Sequence, residues 1–345
     1  MTFLVRPSTP ADAEAIVTLL AGAGLRPNSE PRDLYWKYWL PRADFPGPRS
    51  YLLTEGSEPI AHAALVPGAW LSGSRRLQVI HVVDWAARGG ALGAGAALMK
   101  HIAQQADALL AIGGTALTLK MLPNLGFRVA GTLRRYVRTV HALRVLRQTL
   151  ARGRLRALFR ATRGALWALS APGAPGTDWL ARRILVDDLA ELRALLPYPR
   201  PGIAVAERSA ARLAYALACP IVPMALYLVE RAGRAQGYFL LASTRGQARI
   251  ADCWVDSDAR GDWWGMLRCA VVQAASDPQA AEIVGWANDP LTAGALEACG
   301  FRARVSSTIQ LRPSAGAELP PDTLRVQMLD SDAAYLQGRR SDLWT

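Results

Sequence analysis

Three strand-like runs follow one another between Ser50 and Trp85, and only short polar turns separate them. Ser50 to Thr54 ends at Glu55-Gly56-Ser57-Glu58, Pro59 to Leu71 ends at Ser72-Gly73-Ser74, and Leu77 to Trp85 is the third. Connections this short cannot hold a crossover helix, so the runs pair as antiparallel hairpins. A short strand over Thr2–Arg6 and a helix opening at Thr9-Pro10-Ala11-Asp12 precede them; Thr9 suits the cap, Pro10 the first helical position and Asp12 the positive helix end. A second helix, Arg32 to Leu40, carries Tyr35, Trp36, Tyr38 and Trp39. After the third run come a glycine-rich turn, a helix to about Ala106, a strand over Leu109–Ile112, a helix from Thr115 closed by Pro123, and a strand from Gly126-Phe127 to near Val140.

The same order recurs between Asp187 and the strand that starts at Phe301, in element type and length but not in identity. The expected fold class is therefore α/β (α+β): two domains, each a mixed, mostly antiparallel sheet flanked by helices. They are expected at 1–140 and 181–345, joined by an arginine-rich helical linker at 141–180.

Charge singles out that linker. From Arg128 to Arg183 there are thirteen arginines, no lysine and one acid, Asp178, which accounts for the whole net charge of +12. A generally basic nucleic-acid binder is not expected. Leu155, Leu158, Phe159, Leu166 and Leu169 share a helical face there, flanked by Arg156, Arg160 and Arg163. Three readings stay open: a linker helix, peripheral contact with an anionic membrane, or attraction of a polyanion. The longest uncharged run, Leu213 to Val229, is 17 residues and holds Pro220 and Pro223, which is short for a bilayer span. The N-terminus lacks a signal-peptide pattern, and Cys219, Cys253, Cys269 and Cys299 form no CxxC pair. A cytoplasmic setting without a metal site is expected.

The turn Leu92-Gly93-Ala94-Gly95-Ala96-Ala97 is where chemistry is expected. A helix start offers N–H groups without internal partners and a partial positive charge. Gly93 and Gly95 remove side chains that would hold a phosphate away, and Ala96 and Ala97 keep the first turn small. No Lys-Ser/Thr follows Gly95, so the turn is not a P-loop, and the preceding hairpins fit a dinucleotide fold poorly.

Here the chain resembles the GNAT superfamily of acyl-CoA-dependent acyltransferases. The resemblance lies in Val5-Arg6-Pro7-Ser8-Thr9-Pro10-Ala11-Asp12-Ala13, in Val83-Asp84-Trp85 followed by Gly93-Ala94-Gly95-Ala96-Ala97-Leu98-Met99, and in Leu122-Pro123-Asn124-Leu125-Gly126-Phe127. Ala287-Asn288-Asp289-Pro290 and Leu296-Glu297-Ala298-Cys299-Gly300-Phe301 repeat the last signature, so the whole resembles tandem-GNAT proteins. The resemblance implies acetyl-CoA, or another acyl-CoA, held at Leu92 to Ala97, with main-chain groups of Val82 and Val83 polarising the acyl carbonyl. The chain departs from the family at Leu92, where Arg or Gln is usual, and at Leu122, where a tyrosine often serves as general acid. In the second repeat the matching loop, Asp256 to Trp263, has one glycine and three acids before Trp263, which would repel a pyrophosphate. Function is expected to be asymmetric, with the first unit binding the cofactor.

By alternation Leu77, Val79, His81, Val83 and Trp85 share one strand face, with Asp84 on the other. His81 is the candidate base, or else a hydrogen-bonded core histidine; Asp84 is a second candidate, or a turn-ordering acid. His62 stands on the neighbouring strand. Trp36 and Tyr38 wall a substrate pocket or pack on the sheet. Leu329-Asp330-Ser331-Asp332 either holds an amine or is a solvated turn. The expected activity is N-acyl transfer to a small-molecule or sugar-linked amine. The alternatives are a non-catalytic CoA-binding scaffold and an aminoacyltransferase of the peptidoglycan-bridge type.

Overall fold

The computed structural model describes residues 3–149, 162–164, 166, 178–317, 319, 322–336 and 343. Most of the expected linker at 141–180, with the Leu155 to Leu169 face apart from Leu166, lies outside the described residues. In chain order the elements are β1 (Phe3–Pro7), α1 (Ala13–Gly22), α2 (Pro31–Leu34), β2 (Ser50–Glu55), β3 (Glu58–Ser72), β4 (Arg75–Ala87), α3 (Ala94–Ile102), β5 (Ala108–Ile112), α4 (Ala116–Met121), β6 (Arg128–Thr139) and α5 (Ala142–Thr149). There follow β7 (Trp179–Ile184), β8 (Ile203–Ala206), α6 (Ala210–Leu217), β9 (Met224–Arg231), β10 (Arg234–Thr244), β11 (Gln247–Val255), α7 (Arg260–Ala275), β12 (Glu282–Ala287), α8 (Pro290–Ala298), β13 (Arg302–Pro313) and β14 (Thr323–Arg325). Among the described residues no helix is long and apolar enough to cross a membrane.

The chain sorts into two compact units built from interleaved segments: 1–131 with 199–207 and 307–324, and 132–198 with 208–306 and 325–345. In the first, β1 to β4 form an antiparallel meander and β5 joins β4 in parallel. The far edge of β5 is covered by Ile309–Pro313 of β13. In the second, β7-β9-β10-β11 is the meander, β12 joins β11 in parallel, and Arg134–Thr139 of β6 covers β12. The closing strand of each repeat thus serves the unit of the other. Contiguous domains at 1–140 and 181–345 describe the order of elements, and the compact units differ from them for this reason.

The core of the first unit lies on both sheet faces. Leu98, Met99 and Ile102 of α3 pack on Leu53, Ile60, Leu65 and Ile80. Ile16 and Leu20 of α1, with Leu34 and Tyr38, pack on Leu52, Ala64, Val83 and Ala86. Each large aliphatic side chain buried this way contributes roughly 2 kcal/mol. At the start of the first helix the Thr9 side chain accepts no helix N–H; instead the Thr9 N–H donates to Asp12 Oδ2 at 2.8 Å, and Arg6 pairs with Asp12 at 2.7 Å.

Candidate functional site

The site forms where β4 leaves β5. Their pairing runs from Val79–Ala108 to His81–Leu110, and β4 then continues to Ala87 while β5 turns to β13. Gln78 donates its N–H to Asp107 Oδ2 and accepts from the Asp107 N–H, so even-numbered residues at this end of β4 face β5. By that alternation the Val82 N–H closes the β4–β5 ladder at its last pair, His81–Leu110, whereas Val83 pairs with Ala64 in the β3 ladder. Beyond Val83 two residues, Asp84 and Trp85, oppose the single Ala63, and the ladder resumes at Ala86–His62. This is a β-bulge, and Asp84 has a left-handed φ of 48°.

The bulge reverses the expected faces. Trp85 packs with the α3 side, and Val83 and Ala86 with the α1 side. Asp84 lies on the α1 side, against Lys37 and Tyr38, rather than on the face opposite His81. Strict alternation fails because the extra residue shifts the register by one.

The loop after β4 ends in Gly93, the α3 N-cap, whose φ of 79° suits glycine. The Ala94 N–H bonds Ala91 O and the Ala97 N–H bonds Gly93 O. The N–H groups of Gly95 and Ala96 take no acceptor among the described residues. They form the donor pair of the expected phosphate turn. Gly95 also has a packing role: a Cβ there would meet the Trp85 ring at 3.2 Å, and Trp85 Nε1 donates to Gly95 O at 3.1 Å. Leu92, 98% exposed, adds nothing polar. A cavity of about 570 Å³ beside the loop is lined by Phe3, Leu53, Ile60, Arg88, Gly93 and Ala94 among others, and none of its walls comes from the split.

On the α1 face of the split the structure buries a polar layer. Lys37 Nζ lies 2.5 Å from Asp84 Oδ2, and the Tyr38 hydroxyl donates to the same oxygen at 2.6 Å. Burial pushes the Asp84 carboxyl up, but the Lys37 ammonium and the hydrogen bonds from Lys37 and Tyr38 outweigh it and hold it low. His62 Nδ1 lies 3.0 Å from the Asp84 carbonyl and its Nε2 2.9 Å from Ser50 Oγ, which accepts from Ser8 Oγ at 2.6 Å. His81 is buried, and among the described residues its Nδ1 has no hydrogen-bond partner. Burial, with Lys37 nearby, lowers its pKa to about 4, so the ring is neutral near pH 7.

Lys37 and Tyr38 sit on a π-helical turn, Tyr35–Trp39, that extends α2. Trp36 and Tyr38, expected as pocket walls, are both buried, and Tyr38 is committed to Asp84. Arg49, buried, donates to the carbonyls of Trp36, Lys37 and Leu40 at the end of this turn. Leu122 is 1% exposed in the α3 core and offers no hydroxyl. Lys37 and Arg49 escaped the sequence reading. Lys37 had a signal, since a lysine amid four aromatics of a buried helix face must find a carboxylate.

The second unit has the same split and a different filling. Asp252, beside a register shift in β11, is held by Arg208 through two bonds of 2.8 Å and by the Tyr238 hydroxyl at 2.8 Å. In the loop before α7 the acids are paired: Asp262 takes Arg231 and Ser257, and Asp256 accepts from Tyr198. The C-terminal segment then lies across the split. Arg325 stacks 4.0 Å from the Trp263 ring centre and donates to Thr292 Oγ1, the Val326 N–H donates to Asn288, and Gln327 donates to the Cys253 carbonyl. It buries Asp289 and Thr292 at the start of α8, whereas Thr115 at the start of α4 is exposed. Asp330 belongs to this segment and pairs with Arg208 at 2.8 Å, so Leu329 to Asp332 is a buried strap rather than a solvated turn. Among the described residues no cluster could hold a metal.

No protein-family model matches the sequence, and no curated protein does. Solved structures do. An Enterococcus faecalis protein described as a probable N-acyltransferase aligns over 91% of this chain and 73% of its own, with a TM-score of 0.58 and 12% identity. A GCN5-related N-acetyltransferase from Anabaena variabilis aligns over 91% and 73%, at 0.57 and 12%. One from Kribbella flavida aligns over 92% and 72%, at 0.56 and 14%. The parallel pair that parts at His81, the bulge in β4 and the helix that starts at Gly93 are thus parts of a GCN5-related N-acetyltransferase fold, the fold this chain carries.

Proposed function

We propose that the protein is an acyl-CoA-dependent N-acyltransferase, with acetyl-CoA as donor and an amine as acceptor, working from its first unit alone. The observation that carries this reading is a helix start with unengaged Gly95 and Ala96 N–H groups beside a β4–β5 split that, among the described residues, no segment crosses, whereas Arg325–Gln327 crosses the split of the second unit. Phosphates at α3 would complete those donors, and the thioester would lie along β4. His81, neutral and with Nδ1 unpartnered, supports the role of proton acceptor from the amine. The amine nitrogen would attack the thioester carbonyl, the C–S bond would break, and the proton His81 took from the amine would pass to the departing CoA thiolate.

The test uses Ala96→Glu. A glutamate at the third helical position is compatible with a helix start, and its carboxylate beside the turn repels a phosphate. Gly95→Glu is less suitable, because it would also displace Trp85. The unaltered protein should gain thermal stability on adding acetyl-CoA or CoA; Ala96→Glu should lose at least about tenfold in affinity while Ala96→Gln keeps most of it. If neither ligand shifts the melting temperature of the unaltered protein, the reading fails. A second reading, a CoA-binding scaffold, is favoured by Leu122 standing where a hydroxyl acid is expected. It predicts binding without turnover across a panel of amines.

A further inference from the structure

We propose that Asp84 is a positioning residue, whose carboxylate, locked between Lys37 and Tyr38, holds the β4 bulge and thereby sets where main-chain N–H groups along the split meet a thioester carbonyl. The inference rests on the acyl-CoA reading and deepens it. Asp84 shapes the strand, and the proton is left to His81.

Three observations carry it. First, a non-glycine residue at φ 48° is held against its preference, and here it is anchored at both ends. The carboxylate is fixed by Lys37 and Tyr38, and the carbonyl lies 3.0 Å from His62 Nδ1. Second, Oδ2 already accepts from an ammonium and a phenol, which leaves little basicity for an incoming amine. Third, the second unit repeats the arrangement from unrelated elements. Asp252, at the irregularity in β11, takes Arg208 and Tyr238 in place of Lys37 and Tyr38. That unit has an acidic loop and a strap across its split, so a carboxylate for proton transfer would have nothing to do there. What the two clamped aspartates share is a strand held out of register at the point where its parallel neighbour departs.

The experiment uses the full chain and acetyl-CoA labelled with ¹³C at the acetyl carbonyl. Bound to the unaltered protein, the carbonyl resonance should move downfield from its free value, because an aimed N–H polarises it. Lys37→Met with Asp84→Asn removes the clamp without leaving a lone buried charge. This double variant should bind CoA within about threefold of the unaltered protein, while the bound carbonyl resonance returns toward the free position. A merely structural role would weaken CoA and acetyl-CoA alike and leave the resonance displaced. Tyr38→Phe, which removes one donor and no charge, should give part of the same return and serves if the double variant does not fold. A resonance that stays as far downfield in the variants, or is never displaced in the unaltered protein, overturns the clamp alone. Failure of the unaltered protein to bind acetyl-CoA overturns the acyl-CoA reading and the clamp with it.

Discussion

His62 and His81 differ in their hydrogen bonds but share one electrostatic situation. Both are buried near Lys37, and burial is the main cause that brings each to about 4; for His62 the Asp84 carboxylate opposes this in part. In an unfolded chain both would titrate near 6.5. Between those values the unfolded state binds more protons than the native one, so the native state loses stability as pH falls through the window and holds all of it above. The loss is on the order of 3 kcal/mol for each ring. Melting temperatures followed from pH 7 to pH 4 should fall, and less steeply for the pair His62→Gln and His81→Gln; equal slopes would contradict the assignment. At this scale the sequence was partly legible. His81 and Asp84 stood out as polar groups on an apolar strand, but their relation did not, because one extra residue opposite Ala63 decides which way Asp84 points. Nothing in the spacing of Val79, His81 and Val83 announces a bulge.

The aromatic turn shows what an element owes to a distant residue. Tyr35–Trp39 ends with the carbonyls of Trp36, Lys37 and Leu40 turned inward, and the Arg49 guanidinium satisfies all three at 2.7–3.0 Å. Its planar fork suits several acceptors at once. Arg49→Met should leave buried carbonyls without donors, at a cost of about 2–4 kcal/mol. Calorimetry should show the loss as a lower melting temperature, with Arg49→Lys in between; no change would mean that water replaces the guanidinium. The helix itself was legible from Trp36 and its neighbours, and its π-helical form was not, nor was the distant Arg49 that takes up the carbonyls at its end. The loop at Gly93 to Ala97 was legible for the opposite reason: its donors are main-chain groups, and glycine and alanine advertise them directly.

At the scale of the whole molecule, the order of elements was legible and the membership of two strands was not. β6 and β13 occupy the same place in their repeats, each just after a Gly-Phe pair, Gly126-Phe127 and Gly300-Phe301, and each is an ordinary amphipathic strand. Local pattern says that such a segment is a strand; it carries no information about which of two similar sheet edges it joins. The exchange makes a firm demand on folding. A fragment of residues 1–140 lacks Ile309–Pro313, so the edge of β5 that continues the split would be bare, and it lacks β8, which pairs with Trp70 and Leu71. Its own Arg134–Thr139 would have no β12 to pair with. Exposed edges of this kind favour aggregation over a closed core. The fragment alone should therefore give no cooperative melting transition. Co-expression with 141–345 should recover both chains as one complex that melts cooperatively, because the exchanged strands supply each other's missing edges. A fragment 1–140 that folds alone, with dispersed amide resonances and a sharp transition, would show that the exchange is dispensable, and that the strand at Ile309 adds stability to a sheet already complete without it.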